Sequence, residues 1–177
     1  MPDKDILSAF KFFAGMDAET RAVMGGKCEI LNFNSEDIIF GIDEPSHKLY
    51  GLIAGEVELS LIFEDRVLKT DIEYEEAIQA RMVDEERLIV VDTVKPGQVF
   101  GWSCLVGPGK RTVTATCAEA SRVFAIPAVD LKEMLETDPA LGYRIMKKLS
   151  DIISGRLQRR TDKLIEAWSE AFDSGEI

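Results

Sequence analysis

The spacing of apolar residues changes twice along the chain and divides it into three segments. In residues 1–27 the apolar positions recur at a helical period. This period predicts a short amphipathic helix over Asp5–Phe13. It also predicts a second helix that begins at the N-cap residue Asp17 and ends at Gly25-Gly26. We therefore expect a pair of helices at the start of the chain.

Residues 28–127 carry the pattern of short strands separated by turns. Val57, Leu59 and Leu61 alternate with Glu56, Glu58 and Ser60, which predicts a strand with one buried and one solvated face. Similar short segments are Asp37–Phe40, Leu49–Ile53, Leu88–Val94 and Thr112–Cys117. Many such pieces with intervening turns favour a closed roll of antiparallel strands, a jelly roll.

An acidic insertion at about residues 64–87 interrupts this pattern. It carries more residues than a simple hairpin needs, and its periodicity fits an inserted helix or an extended hairpin equally well. A solvated excursion is the favoured interpretation, and a surface for a protein partner is the alternative.

The helical period returns in residues 128–177. Ala128–Glu136 predicts a short helix, and Asp138-Pro139 places an N-cap before a proline at the start of a long helix that runs to about Phe172. An apolar stripe follows this helix at Met146, Leu149, Ile153, Leu157, Leu164 and Trp168. The stripe predicts a parallel homodimer through this helix, with Ser154 and Gly155 allowing close approach. The alternative is a helix packed wholly on its own roll.

Composition narrows the class of protein. The 177 residues fit one domain, 1–177, and 32 acidic against 21 basic residues give a net charge of −11. Such a chain repels nucleic acid and anionic membranes, so we expect no direct DNA binding. There is no apolar run of membrane-spanning length and no signal peptide at the start, which predicts a cytoplasmic protein. Three cysteines without zinc-type spacing and one histidine, His47, predict buried thiols and no metal site.

The candidate chemistry lies in residues 97–118. Phe100-Gly101 leads into a short helical run, and a Gly-Pro-Gly loop then delivers Arg111 and Thr112 at the start of a strand. A glycine that permits close approach and an arginine that binds phosphate with two parallel hydrogen bonds together form an anion cradle. The amides of Ser103 and Cys104 are expected to point at the same site, and Lys110 adds local positive charge.

These residues resemble the phosphate-binding cassette of the cyclic-nucleotide-binding domain family, which reads F-G-E-x-A-L, a loop, and then P-R-A/T-A. Phe100-Gly101, Leu105 and Arg111-Thr112 match, whereas Trp102 stands at the family's glutamate and Lys110 at its proline. The family includes the catabolite activator protein and the regulatory subunits of cyclic-AMP-dependent kinase. The resemblance implies a β-roll with N-terminal helices and a long C-terminal helix, and a homodimer. It also implies that Arg160 and Thr161 lie where the family contacts the purine base.

Trp102 leaves three outcomes open for the ligand. An indole only donates hydrogen bonds, so it cannot accept from a ribose hydroxyl as the family's glutamate does. The pocket then binds cyclic AMP or cyclic GMP weakly, or binds another anionic or aromatic effector, or is filled by the indole itself.

Enzyme motifs do not match the chain. A P-loop around Gly109-Lys110 would need glycine at position 104, which is Cys104, and a nucleophile elbow around Ser103 would need glycine at position 105. We expect no catalytic activity and no bound cofactor other than a cyclic nucleotide ligand. The predicted function is a small-ligand sensor that signals through rearrangement of the long helix. The alternative is a non-binding scaffold or dimerisation domain, which would dock onto an unidentified protein.

Overall fold

The computed structural model describes the backbone of residues 6–74 and 77–173, and the side chains of these residues except 63–87, 170, 171 and 173. The strands are Glu29–Phe33 (β1), Ile38–Phe40 (β2), Lys48–Ala54 (β3), Val57–Tyr74 (β4), Ala77–Val94 (β5), Val99–Phe100 (β6), Thr114–Cys117 (β7) and Ser121–Pro127 (β8). The α-helices are Ala18–Gly26 (α1), Ala128–Thr137 (α2) and Pro139–Asp173 (α3). Three 3₁₀ turns span Ile6–Ala9, Lys11–Phe13 and Trp102–Cys104.

The strands form two four-stranded sheets, and the pairings within them are antiparallel. The first has the order β1-β8-β3-β6 and the second the order β2-β7-β4-β5. The predicted fold class, an antiparallel β-roll with N-terminal helices and a long C-terminal helix, is confirmed.

Both faces of the first sheet are buried, which explains why β8 is apolar over consecutive residues. Val123 and Ala125 face the interior of the roll, whereas Phe124 and Ile126 face the helices. The second sheet is buried on one face only, and β7 accordingly alternates between buried and half-buried residues. The protein thus has one core inside the roll and another between the first sheet and the helices.

The start of the chain differs from the prediction. Two 3₁₀ turns replace the expected amphipathic helix over Asp5–Phe13, of which Asp5 lies outside the described residues. Phe10 has extended backbone, with φ −104° and ψ 116°, and Phe12 and Phe13 are both buried. The extended backbone at Phe10 separates the two turns and prevents one continuous helix.

The other helix boundaries agree with the sequence. The side chain of Asp17 accepts a hydrogen bond from the Thr20 amide at 2.8 Å and caps α1, which ends at Gly26. Asp138 accepts from the amides of Ala140 and Leu141 at 3.0 Å and caps α3. Within the described part of the chain, no helix has the length and apolar character needed to cross a membrane.

The acidic insertion is an extended hairpin, formed by pairing of β4 with β5 along their length. One detail of β4 was predicted wrongly: Ser60 is buried rather than solvated. The register of β4 against β5 shifts between Leu59 and Ser60, because Leu59 pairs with Asp92 and Ser60 with Val90. The extra residue of this bulge is Val91 in β5, and a bulge increases the local twist of the paired strands.

The long helix α3 has two halves with different surroundings. Leu141, Ile145 and Leu149 are buried in the helix-side core. From Thr161 to Ser169 every residue is exposed, including Leu164 and Trp168. The alternative of a helix packed wholly on its own roll therefore does not hold for the second half.

Candidate functional site

A glycine-rich loop holds the backbone of Arg111 against the loop that follows β2. Gly107 and Gly109 have φ of 81° and 72°, a conformation that side chains disfavour. The Arg111 amide donates to the carbonyl of Glu44 at 2.8 Å, and the Asp43 amide donates to the carbonyl of Arg111 at 2.9 Å. These bonds hold the arginine backbone from both sides and direct its side chain inward.

The guanidinium of Arg111 is buried inside the roll, and the residue is only 3% exposed. Its Nη1 donates to the carbonyl of Gly101 at 2.7 Å, and its Nη2 donates to the carbonyl of Lys48 at 2.8 Å. The group lies over the ring of Phe40, with 4.1 Å between Cζ and the ring centroid. Burial lowers the pKa of Arg111, the largest of the influences on it. No ion pair joins it to a carboxylate among the described residues.

The Arg111 guanidinium can approach the backbone at position 101 only because this residue is glycine. Its φ is 72°, and a Cβ there would lie 2.6 Å from Arg111 Nη1. Any side chain at this position would displace the guanidinium or strain the backbone. The glycine therefore makes room for the arginine directly.

A cavity of about 50 Å³ lies beside the guanidinium. The roll contributes three apolar side chains to its wall and, in addition, Gly101, Trp102, Ser103, Arg111 and Thr112. The helix α3 contributes Arg156 and Arg160. Pockets that bind small organic ligands usually measure about 300–1,000 Å³. In this conformation the cavity is far too small for a nucleoside.

Arg156 ties α3 to the strand β5. Its Nε lies 2.9 Å from Asp92 Oδ2, and its Nη2 donates to the Val99 carbonyl at 3.1 Å. Both side chains of this ion pair are about nine-tenths buried, at 9% and 10% exposure. Burial lowers the pKa of Arg156, and Asp92 opposes that effect. Arg159 also approaches Asp92 Oδ2, at 3.4 Å, but its side chain is 56% exposed.

Two guanidinium nitrogens of the arginines that line the cavity have no hydrogen-bond partner among the described residues. The Nε atoms of Arg111 and Arg160 are buried and, in the described structure, form no hydrogen bond. No acidic side chain lines the cavity among the residues described. The wall is thus rich in hydrogen-bond donors and positive charge.

The structure brings six of the nine predicted site residues to the cavity wall: Gly101, Trp102, Ser103, Arg111, Thr112 and Arg160. It places three elsewhere. Phe100 is buried in the interior core and stacks on Tyr50, and Cys104 is buried in the helix-side core. The Cys104 amide donates to the Gly101 carbonyl at 3.4 Å, within the 3₁₀ turn. The exposed Thr161 hydroxyl donates to the carbonyl of Leu157 at 3.0 Å.

Sequence reasoning missed Arg156 and Asp92. Two signals could have found them: Arg156 lies four residues before Arg160, on the same helix face, and Asp92 interrupts the apolar strand segment Leu88–Val94. A carboxylate in a buried strand needs a cationic or hydrogen-bonding partner, which would have pointed to the arginines of α3.

Comparison with known proteins finds a family model that matches the segment around Arg111. A family model described as a cyclic nucleotide-binding domain matches residues 77–138, which include the loop of Arg111. The chain has the cyclic nucleotide-binding domain fold. The family resemblance predicted from residues 97–118 is thereby confirmed.

Sequence comparison finds a bacterial relative of this chain. The CRP-like cAMP-activated global transcriptional regulator of Mycobacterium tuberculosis is 20% identical over 162 residues, which are 92% of this chain and 62% of the regulator. The chain thus spans less than two thirds of that relative.

Solved structures show the same fold. A protein from Geobacter metallireducens GS-15, described as cyclic nucleotide-binding, has a TM-score of 0.66 and 26% identity, covering 89% of this chain and 99% of that one. The regulatory domain of Toxoplasma gondii PKA with cAMP has a TM-score of 0.61 and 16% identity, covering 86% and 48%.

Proposed function

We propose that this domain is a regulatory sensor in which an anionic effector binds at Arg111 and the helix α3 transmits the binding event. The single observation that carries the proposal is that Arg111 is buried and has no carboxylate partner among the described residues. Burial of an unpaired charge costs several kcal/mol, and the two backbone carbonyls supply only part of the compensation. A bound anion would supply the missing countercharge.

The position of the cavity supports coupling to α3. Arg156 and Arg160 extend from this helix into the same wall as Arg111. An anion that draws these guanidiniums inward binds one helix position better than another, so it shifts the population of helix positions. The Asp92–Arg156 ion pair is the contact through which such a shift would reach the hairpin. This is a binding role, and no catalytic step is part of it.

The exposed half of α3 supports a homodimer as the signalling unit. Leu157, Leu164, Ile165, Trp168 and Phe172 are each more than half exposed. Leu157, Leu164 and Trp168 are spaced by seven and four residues, which is the pattern of a two-helix seam. A second copy of the helix, aligned in parallel, would bury this stripe.

Light scattering after size exclusion tests the dimer. We expect twice the chain mass of 19.7 kDa for the native protein at micromolar concentration, and the chain mass for Leu164→Glu. The matched control, Ser169→Glu, introduces the same charge at another exposed position of the helix and should stay dimeric. A monomeric native protein would overturn the proposed dimer.

A titration of Trp102 fluorescence tests the sensor. The Trp168→Phe background leaves Trp102 as the one indole, because the chain has two tryptophans. We expect a saturable response to at least one anion from a panel of cyclic AMP, cyclic GMP, phosphate and sulfate. The fluorescence response should vanish in Arg111→Gln. In the protein that retains Arg111, ligand binding should also change the solution-scattering profile of the dimer. Equal profiles with and without saturating ligand would refute signalling through α3.

A second candidate is a scaffold that binds no effector. The small volume of the cavity and the position of Trp102 in its wall favour it. It predicts no saturable response to any anion of the panel, together with an unchanged dimer in Arg111→Gln.

A further inference from the structure

We propose that the Arg111 cavity binds a compact tetrahedral dianion, of the size and charge of phosphate or sulfate, rather than a cyclic nucleotide. This inference rests on the proposed sensor function and names its ligand class. Two independent observations carry it, the charge of the cavity wall and the volume that the wall encloses.

The charges favour a dianion. Arg111, Arg156 and Arg160 all line the cavity, and Asp92 is the one carboxylate that pairs with any of them among the described residues. Two positive charges therefore lack a counterion within the part of the chain whose side chains are described. The exposed guanidinium of Arg159 is screened by solvent and does not alter this balance. A cyclic nucleotide carries a single negative charge and would leave one of the two unpaired.

The volume favours a ligand of few atoms. One water molecule needs about 10–15 Å³ of cavity volume, so a cavity of about 50 Å³ holds roughly three to five water molecules. A tetrahedral oxyanion has a comparable number of heavy atoms, whereas a nucleotide has several times as many. Trp102 is part of the wall, but its side chain packs against the core between the first sheet and the helices, and an indole offers no hydrogen-bond acceptor to a ribose.

The unpartnered donors supply the hydrogen bonds. The buried Nε atoms of Arg111 and Arg160 have no acceptor among the described residues. Thr112 also lines the wall, whereas the hydroxyl of Ser103 already shares a hydrogen bond with that of Ser46 at 2.9 Å. Oxyanions accept charge-assisted hydrogen bonds from guanidinium groups at short distance. A dianion in the cavity would thus compensate both charges at once.

The test is a titration of the full chain, in the Trp168→Phe background, with sulfate and inorganic phosphate. Nitrate serves as a monoanion, cyclic AMP as the nucleotide, and sodium chloride keeps the ionic strength constant. We expect saturation by sulfate and phosphate at a Kd between roughly 3 µM, the ceiling for a five-atom ligand, and roughly 1 mM. Nitrate and cyclic AMP should not saturate the response below that limit.

Variants of α3 locate the site. Arg160→Gln should weaken sulfate binding by roughly ten- to a hundredfold, because it removes a charge-assisted contact. The matched control, Arg144→Gln, removes the same charge from an exposed position on the same helix and should leave sulfate affinity unchanged. Equal weakening in both variants would mean a diffuse ionic effect and would overturn the proposal.

The outcomes separate this inference from the sensor function. Saturation by cyclic AMP, with sulfate acting only as a weak competitor, would overturn the dianion and leave the sensor standing. Failure of every anion to bind would overturn both and favour the scaffold.

Discussion

Replacing Asp92 by asparagine should destabilise the protein by about 3 kcal/mol. Asp92 forms an ion pair with Arg156 in which both side chains are about nine-tenths buried, and removal of one partner from such a pair costs about 3–5 kcal/mol. The lower end applies because the asparagine carbonyl still accepts one hydrogen bond from the guanidinium. For a chain of this length the loss corresponds to a decrease in Tm of roughly 6–12 °C.

Urea denaturation at pH 7 measures this loss, followed by circular dichroism and by tryptophan fluorescence. Arg159→Gln is the internal control, because Arg159 contacts the same carboxylate at 3.4 Å with a largely exposed side chain. It should cost less than about 1 kcal/mol. If Asp92→Asn and Arg159→Gln destabilise the protein equally, the distinction between the buried and the exposed contact is wrong.

Three further predictions follow from local geometry. Gly101→Ala should cost more stability than Gly107→Ala, and it alone should abolish anion binding. Both glycines have positive φ, worth about 1–2 kcal/mol each, but only a Cβ at Gly101 meets a neighbouring side chain; paired thermal melts check this. Asp17→Ala should lower stability at pH 7, and the difference should disappear as the pH falls through the lowered pKa of Asp17, below its ordinary value of 3.8. Denaturation from pH 7 to pH 2 would show no such convergence if the cap were irrelevant. Burial raises the pKa of Cys28 to about 12 and that of Cys104 to about 11, so a thiol reagent at pH 8 should label the unfolded chain rapidly and the native chain slowly; equal rates would contradict this burial.

Local sequence patterns predict much of the fold. The N-cap at Asp17, the Asp138-Pro139 start of α3 and the alternation in β7 depend on neighbours within a few residues, so the sequence displays them directly. The acidic insertion left helix and hairpin equally plausible, because charged residues mask the period on which a prediction depends. The pairing of β4 with β5 in the structure shows that the insertion is a hairpin and not a helix.

Only the part of the candidate site that is local in the sequence could be predicted. Gly101, Trp102, Ser103, Arg111 and Thr112 lie within twelve consecutive residues, and all five line the cavity. Arg156 and Asp92 are 64 residues apart and meet only because α3 packs against β5. Local sequence marks each residue as unusual, but only the fold shows that the two residues pair with each other.

The sequence by itself determined the class of fold, the residue types of the anion cradle and the extent of the long helix, because turns, caps and hydrophobic periods are properties of neighbouring residues. Tertiary structure alone decided that Arg111 is buried with no carboxylate partner among the described residues, that α3 adds two more arginines to the cavity wall, and that the cavity measures about 50 Å³. Burial, net local charge and volume arise where distant segments meet, and these three quantities set which ligand the site can hold.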